Sequence, residues 1–266
     1  MSTPVIETHA LCRRFGDVTA VDALTLSVDA GETFGLLGRN GAGKSTVIKM
    51  LTTLLPPTSG SAMVCGFDVV RESARVRQMI GYVPQALSAD GDLTGYENLL
   101  VFAQLYDIPR AERAERIGRA LAFMGLKEAA HRLVKTYSGG MIRRLEIAQS
   151  TLHRPRVLFL DEPTVGLDPV ARQSVWEQVE RLQSRFGAAI LLTTHYLEEA
   201  EHLCRRVAIM SRGRVAAIGT PAALRAALGP DASFEDVFEH YTSDETALAG
   251  AYDEVSQTRR TSQRLG

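Results

Sequence analysis

A chain of 266 residues with 30 Lys+Arg against 31 Asp+Glu has a formal net charge of −1 and 45% hydrophobic residues, which allows one large or two small domains with a substantial core. This balance lacks the basic excess of nucleic-acid-binding chains, and the longest apolar runs, such as Ala188 to Leu192, fall far short of the roughly 20 residues of a membrane helix. No nucleic-acid partner is expected, and any membrane role would come through another protein.

Met1 to Glu7 shows no basic segment followed by an apolar core, so no secretory signal is expected. Cys12, Cys65 and Cys204 are widely separated and form no CxxC pair, as expected of reduced, buried thiols in a cytosolic protein with no metal or redox role. Val5 to Leu11 and Leu24 to Val28 read as strands, with Arg13, Arg14, Phe15 and Gly16 opening the connection between them. Phe15, at a strand end before a glycine, suits either core or an aromatic plate for a purine ring.

Thr33 to Leu37 reads as a short apolar strand, and Val47 to Leu55 places Val47, Ile48, Leu51 and Leu55 on one helical face. Between them Gly38 to Thr46 reads GRNGAGKST, the phosphate-binding loop pattern. Gly41 and Gly43 lack a Cβ, so backbone N–H groups can approach phosphate oxygens closely, and a helix beginning near Lys44 adds unpaired donors and its positive dipole end. Gly38, Asn40 and Ala42 complete the loop. Lys44 brings a point charge towards the β and γ phosphates, Ser45 a hydroxyl for Mg²⁺, and Thr46 a further hydroxyl nearby.

Pro56, Pro57, Ser59 and Gly60 break the helix, Ala62 to Cys65 resumes a strand, and Ile80 to Val83 forms another that ends at Pro84 and Gln85. Leu93 to Leu133 reads as a helical insertion. Thr94 and Glu97 have capping-box spacing ahead of Leu99, Leu100 and Ala103, and Pro109 starts a second helix whose Ile117, Leu121 and Met124 share a face until Gly125. The alternating Arg and Glu of Arg110 to Arg119 read as a solvated, salt-bridged surface.

From Ser138 an α/β rhythm returns: a helix through Leu145 to Leu152, a strand at Val157 to Leu160, a helix from Val170 to Phe186, a strand at Ala189 to Thr193 and a helix from Tyr196 to Leu203. Val207 to Met210 and Val215 to Ile218 read as a strand pair around Gly213. This alternation predicts an α/β fold whose mainly parallel sheet is covered on both faces. The polar stretch from Ser243, with Arg259, Arg260 and Arg264, is expected to be poorly ordered.

Val157 to Pro163 reads VLFLDEP and places two carboxylates at the C-terminal end of a buried strand, where α/β sheets hold their ligands. Asp161 can hold Mg²⁺, directly or through water. Glu162 can polarise a water for attack on the γ phosphate.

Over roughly Val5 to Gly219 these ordered motifs resemble the ATP-binding subunit of ABC transporters. Ser138, Gly139 and Gly140 in YSGGM resemble the family's signature motif, Gln85 its glutamine loop, Gly166 to Asp168 its aspartate loop and His195 its switch histidine; Phe15 matches the adenine-stacking aromatic. The resemblance implies a P-loop NTPase cassette over residues 4–228, with an antiparallel β subdomain, a helical subdomain near 86–153 and a C-terminal extension over 229–266. ATP and Mg²⁺ are the implied cofactors. Gln85 would reach the Mg²⁺, and His195 would contact the γ phosphate and the attacking water.

Ser138 and the two glycines precede a helix and so form a second anion-binding helix start. The resemblance implies that this start closes over ATP held by a second copy in a head-to-tail homodimer, with Asp168 across the interface. It also implies a peripheral position on the cytoplasmic face of the membrane, a separate transmembrane permease, and permease contact between Gln85 and about Tyr106. Tyr137 and Met141 replace the leucine and glutamine usual around the signature glycines. With TTHYLEEAE at Thr193 to Glu201 and FEDVF at Phe234 to Phe238, they resemble exporter ATPases of the daunorubicin-resistance type, with lipo-oligosaccharide exporters similar. The alternatives are a soluble ABC ATPase and a purely regulatory ATP-binding protein. The former class usually carries two cassettes or a long coiled-coil insertion, and neither is in this sequence. Glu162 and His195 together argue against the latter.

Overall fold

The computed structural model describes residues 4–243, so the polar tail beyond Ser243 lies outside the described residues. β1 (Pro4–Phe15) and β2 (Val18–Asp29) are longer than the sequence pattern indicates and pair antiparallel with Phe15 opposite Val18. Arg13, Arg14 and Phe15, expected to open their connection, are themselves strand, and only Gly16 lies in the turn. Register shifts between Thr8 and Leu11 and between Leu11 and Arg13 interrupt the alternation by which the strand would have been recognised.

β3 (Thr33–Gly38) is buried throughout, and α1 (Lys44–Leu51) follows the glycine loop. α1 ends at Leu51, short of the expected Leu55, because Thr53 turns the backbone left-handed (φ 65°). β4 (Ser59–Val64) and β5 (Phe67–Asp68) join the first two strands in an antiparallel sheet of order β2-β1-β4-β5. α2 (Ser73–Met79), not anticipated from the sequence, leads into β6 (Ile80–Val83).

The helical insertion is α3 (Gly95–Leu105), started by the Thr94–Glu97 capping box, and α4 (Arg110–Phe123), which begins after Pro109. Leu99, Ala103, Ile117, Leu121 and Met124 are buried, while Arg116 pairs with Glu112 and Arg119 with Glu115 along the outer face of α4. α5 (Gly139–Thr151) starts six residues before the expected Leu145, capped by Ser138. β7 (Val157–Asp161), α6 (Pro169–Phe186), β8 (Ala189–Thr194), α7 (Leu197–Leu203), β9 (Arg206–Ser211) and β10 (Arg214–Gly219) then follow. Two C-terminal helices, α8 (Pro221–Leu228) and α9 (Phe234–Thr242), close the described chain. α9 packs on β9 and buries Phe234 and Val237 in the same cluster as Trp176 and Leu203, so this part of the C-terminal extension belongs to the core.

The main sheet has the order β10-β9-β3-β8-β7-β6; all its pairs are parallel except β9 with β10. Its strands alternate between two cores. Leu158, Leu160, Ile190, Leu192, Val207 and Ile209 face α5, α6 and the helical insertion, while Val157, Phe159, Leu191, Ala208 and Met210 face α1 and the antiparallel sheet. Burial on both faces explains why these strands read as continuous apolar runs. The cysteines are free thiols as expected, but only Cys204 is buried; Cys12 and Cys65 are half-buried.

Candidate active site

The glycine loop is shaped by close approaches. A Cβ on Gly43 (φ 103°) would stand 2.4 Å from the Ala20 carbonyl oxygen, and one on Gly38 would stand 2.7 Å from that of Met210. Gly41 (φ 83°) has open space where a side chain would be, on the exposed rim with Asn40. Ala42 is buried, and its carbonyl accepts a hydrogen bond from Gly213 N in the β9–β10 turn (3.1 Å), which braces the loop from outside. No side chain caps the start of α1, so the first-turn N–H groups, those of Ser45 and Thr46 included, remain available to an anion.

Four parallel strands end around one carboxylate. Glu162 Oε1 lies 3.4 Å from Lys44 Nζ, and its Oε2 accepts a hydrogen bond from Gln85 Nε2 at 3.2 Å and lies 3.3 Å from His195 Nδ1. Both Lys44 and Glu162 are nearly buried, so their attraction is little screened. Lys44 also donates to the carbonyls of Gly38 (2.8 Å) and Arg39 (3.3 Å), which holds its ammonium over the loop. Among the described residues, His195 Nδ1 makes no aligned hydrogen bond to Glu162 or to any other group, so the imidazole is near the carboxylate without being committed to it.

The backbone of Glu162 is left-handed (φ 48°), a strained conformation for a side chain of this size. It is held there by its own N–H, which donates to the carbonyl (3.1 Å) and the hydroxyl (3.0 Å) of Thr193. The same hydroxyl donates to Asp161 Oδ1 at 2.6 Å, and Ser45 Oγ donates to that oxygen at 3.1 Å. Burial together with the Asp161 carboxylate pushes the neighbouring Tyr82 phenol up to about 12, so it stays protonated.

The donors suit Mg²⁺: the Ser45 hydroxyl and the Asp161 carboxylate are hard oxygens in contact with each other, beside a loop shaped for phosphates. Magnesium takes one or two protein carboxylates and completes its shell with phosphate and water. Gln85, expected at the metal, instead turns its amide to Glu162.

The other expected residues stand apart, and among the described residues no hydrogen bond or ion pair joins them to this cluster. Ser138 Oγ caps α5 by accepting from Met141 N (3.3 Å), and Asp168 Oδ1 caps α6 by accepting from Ala171 N (2.9 Å). Both are exposed. Gly140 is required by packing, since a Cβ would stand 2.8 Å from that of Ala171 on α6, whereas Gly139 faces Leu167 at 3.2 Å. Phe15 is about half exposed, with the Arg13 guanidinium 4.6 Å from its ring centre. Tyr137 is buried and donates to the Ala129 carbonyl at 2.6 Å, which anchors the residue before the signature serine to the helical insertion.

Several supporting residues escaped the sequence reading. Arg143, 2% exposed, donates to the carbonyls of Pro84 and Gln85, each at 2.7 Å, and pairs with Glu146 at 3.0 Å. Glu146 in turn accepts from the backbone of Ser88 and Ala89. The loop that carries Gln85 is therefore fastened to α5. In sequence, Arg143 and Glu146 look like any surface pair three residues apart. Glu199, fully buried, accepts from Thr164 Oγ1 (2.8 Å) and Trp176 Nε1 (2.9 Å), linking α7, α6 and the turn after Glu162. Burial pushes its carboxyl up, opposed by the hydroxyls of Thr194 and Thr164, the Trp176 indole and the Arg172 guanidinium.

A glycine loop between a buried strand and an uncapped helix start, with a carboxylate pair at the end of a neighbouring parallel strand, defines a P-loop nucleoside triphosphatase. The family model described as ABC transporter matches residues 21–165, more than half of the chain. The daunorubicin/doxorubicin resistance ATP-binding protein DrrA of Streptomyces peucetius is 43% identical across 97% of this chain and 84% of its own length. The linearmycin resistance ATP-binding protein LnrL of Bacillus subtilis is 40% identical across 85% of this chain and 73% of its own. A solved structure described as the ATP binding subunit of an ABC transporter matches with a TM-score of 0.79 and 31% identity, covering 89% of this chain and 99% of that one. The chain belongs to the ABC transporter family and is one of its ATP-hydrolysing, ATP-binding subunits.

Proposed function

We propose that the protein binds MgATP on the glycine loop and hydrolyses it to drive export through a separate transmembrane permease, at the cytoplasmic face of the membrane. The carrying observation is the sharing of Glu162 among Lys44, Gln85 and His195. With ATP bound, Lys44 is drawn to the β and γ phosphates, which frees Glu162 to accept the proton of the attacking water, while Gln85 and His195 orient that water and the γ phosphate. Ser45 and Asp161 would hold Mg²⁺, with Gln85 as a further ligand once its amide leaves Glu162, and the ion would supply charge neutralisation on the phosphates.

The exposed caps Ser138 and Asp168 and the exposed ring of Phe15 support the rest of the reading. Phe15 stacks the adenine, and Ser138, Gly139 and Gly140 close on the γ phosphate of a second copy in a head-to-tail homodimer that Asp168 spans. No described helix is long and apolar enough to cross a membrane, which suits a subunit that reaches it through a permease. The cassette is taken to span residues 4–228, its helical part 86–153 and the extension 229–266. The drug-resistance relatives favour export of a drug-like, lipid or glycolipid compound.

The test is Glu162→Gln. It should retain ATP affinity, lower turnover at least about 100-fold, and accumulate an ATP-dependent dimer in light scattering. Normal ATPase activity would remove Glu162 from the base role, and a chain that stays monomeric with ATP would remove the homodimer. Co-purification with ribosomes or DNA in place of a multi-spanning membrane protein would favour the soluble ABC ATPase class.

A further inference from the structure

At the opposite end of the main sheet from Glu162 lies a cavity of about 630 Å³, within the usual range of small-molecule sites. Its floor is apolar and buried: Met124 just after α4, Leu152 after α5, Leu158 of β7, Leu182 of α6 and Ile190 of β8. Five arginines also line it, Arg116, Arg119, Arg154, Arg181 and Arg185, with no aspartate or glutamate among the lining residues. Arg116 and Arg119 are neutralised by Glu112 and Glu115 on their own helix. Among the described residues, Arg154, Arg181 and Arg185 have no carboxylate within ion-pair distance.

These charges, uncompensated by carboxylates although Arg181 also donates to the Gln178 side chain, sit beside aromatic surface. The guanidinium of Arg181 lies 4.7 Å from the Phe123 ring centre and that of Arg185 5.6 Å, and Arg185 also lies 5.7 Å from Phe186. Arg154 is held at the rim in a left-handed conformation (φ 60°). Compensation of the negative ends of α5 and α6 accounts for Arg154 and Arg185. It accounts neither for Arg181, farther back along α6, nor for the apolar cavity beneath.

We propose that this cavity binds a small anionic amphiphile, an apolar body seated on the Leu152–Leu182 floor with a carboxylate, sulfonate or phosphate held by Arg154, Arg181 and Arg185. Such a ligand bridges the helical insertion, through α4, and the sheet core, through α6 and β8. α5 and α6 run from the exposed caps Ser138 and Asp168 to this cavity, so occupancy bears on where those caps stand. The site is separate from the nucleotide site and does not depend on how that site is read.

The probe is 8-anilinonaphthalene-1-sulfonate, an aromatic sulfonate that fluoresces in apolar sites, titrated into the full chain with MgADP present. Saturable binding of one equivalent is expected, and displacement by laurate identifies an acyl source, by 1-naphthoate an aromatic one. The double variant Arg181→Glu, Arg185→Glu should weaken binding at least about tenfold, and Ala120→Trp, which fills the cavity from α4, should abolish it. Should the double variant not fold, Arg154→Glu replaces it. Wild-type affinity in folded variants of both kinds, no saturable binding by the wild-type chain, or failure of both competitors would overturn the proposal.

Discussion

The starts of α1 and α5 are both helix N-termini preceded by glycine-rich or serine–glycine sequence, but their surroundings differ. At α1, Lys44 is clasped by two loop carbonyls and a buried glutamate, and Asp161, Gln85 and His195 converge from three further strand ends. At α5, among the described residues, Ser138 has only its own helix as hydrogen-bond partner, and it is open to solvent. The α1 start is built into a cluster of charged and polar side chains within the chain, whereas the α5 start faces outward. The two are nonetheless joined, because Arg143 and Glu146 in α5 hold the backbone around Gln85. The buried side chains of Arg143 and Glu146 thus tie the position of α5 to that of the Gln85 backbone through part-buried hydrogen bonds.

The comparison is broken most severely at Lys44. On the proposed reading Lys44→Ala removes a phosphate contact, and it strands a buried Glu162 without its cation, so ATP affinity should fall by about 2 kcal/mol or more, roughly 30-fold, in a nucleotide titration. Unchanged affinity would sink the loop assignment. Gly140→Val attacks the other half by driving a side chain into Ala171 at 2.8 Å. Stability should drop by about 1–3 kcal/mol in thermal denaturation, and turnover should fall with it as the α5 start shifts.

Ser138→Ala sharpens the contrast, since its structural cost is limited to a helix cap, about 1 kcal/mol. If the outward half takes part in hydrolysis, kcat falls well below the melting temperature; if Ser138 is only a cap, kcat is unchanged there. The smallest effect is expected at Glu199, behind both halves, where Arg172 and the buried Cys204 are the nearby titratable groups. Its carboxyl is raised above the ordinary value of 4.5, so the folded chain binds that proton more tightly than the unfolded chain does. Its contribution to stability is lost as pH rises from about 4.5 through the folded value. Glu199→Gln should abolish that loss, so the variant gains stability relative to wild type as pH rises from about 4 to neutrality. Parallel stability-versus-pH curves for the two proteins across this range would contradict it.

Local chemistry carries far in this molecule. The glycine loop, the Thr94–Glu97 cap, the Pro109 helix start and the apolar strands before Gly38 and Glu162 were all legible in the sequence, because each depends on residues within a few positions of one another. The ends of β1 and β2 were not, since bulges break their alternation, and α1 stopped early at a left-handed Thr53 that no periodicity announces. In the site, Lys44, Asp161, Glu162, Gln85 and His195 were individually readable as residue types in motifs. That Glu162 is shared among Lys44, Gln85 and His195, that Gln85 faces this glutamate and not Asp161, and that Arg143, Glu146 and Glu199 are buried supports rather than surface charges, was settled only where separate strands and helices meet. Sequence determines what a segment of a few residues prefers to be; which charges share one desolvated space depends on contacts between residues tens of positions apart, and only the folded chain decides that.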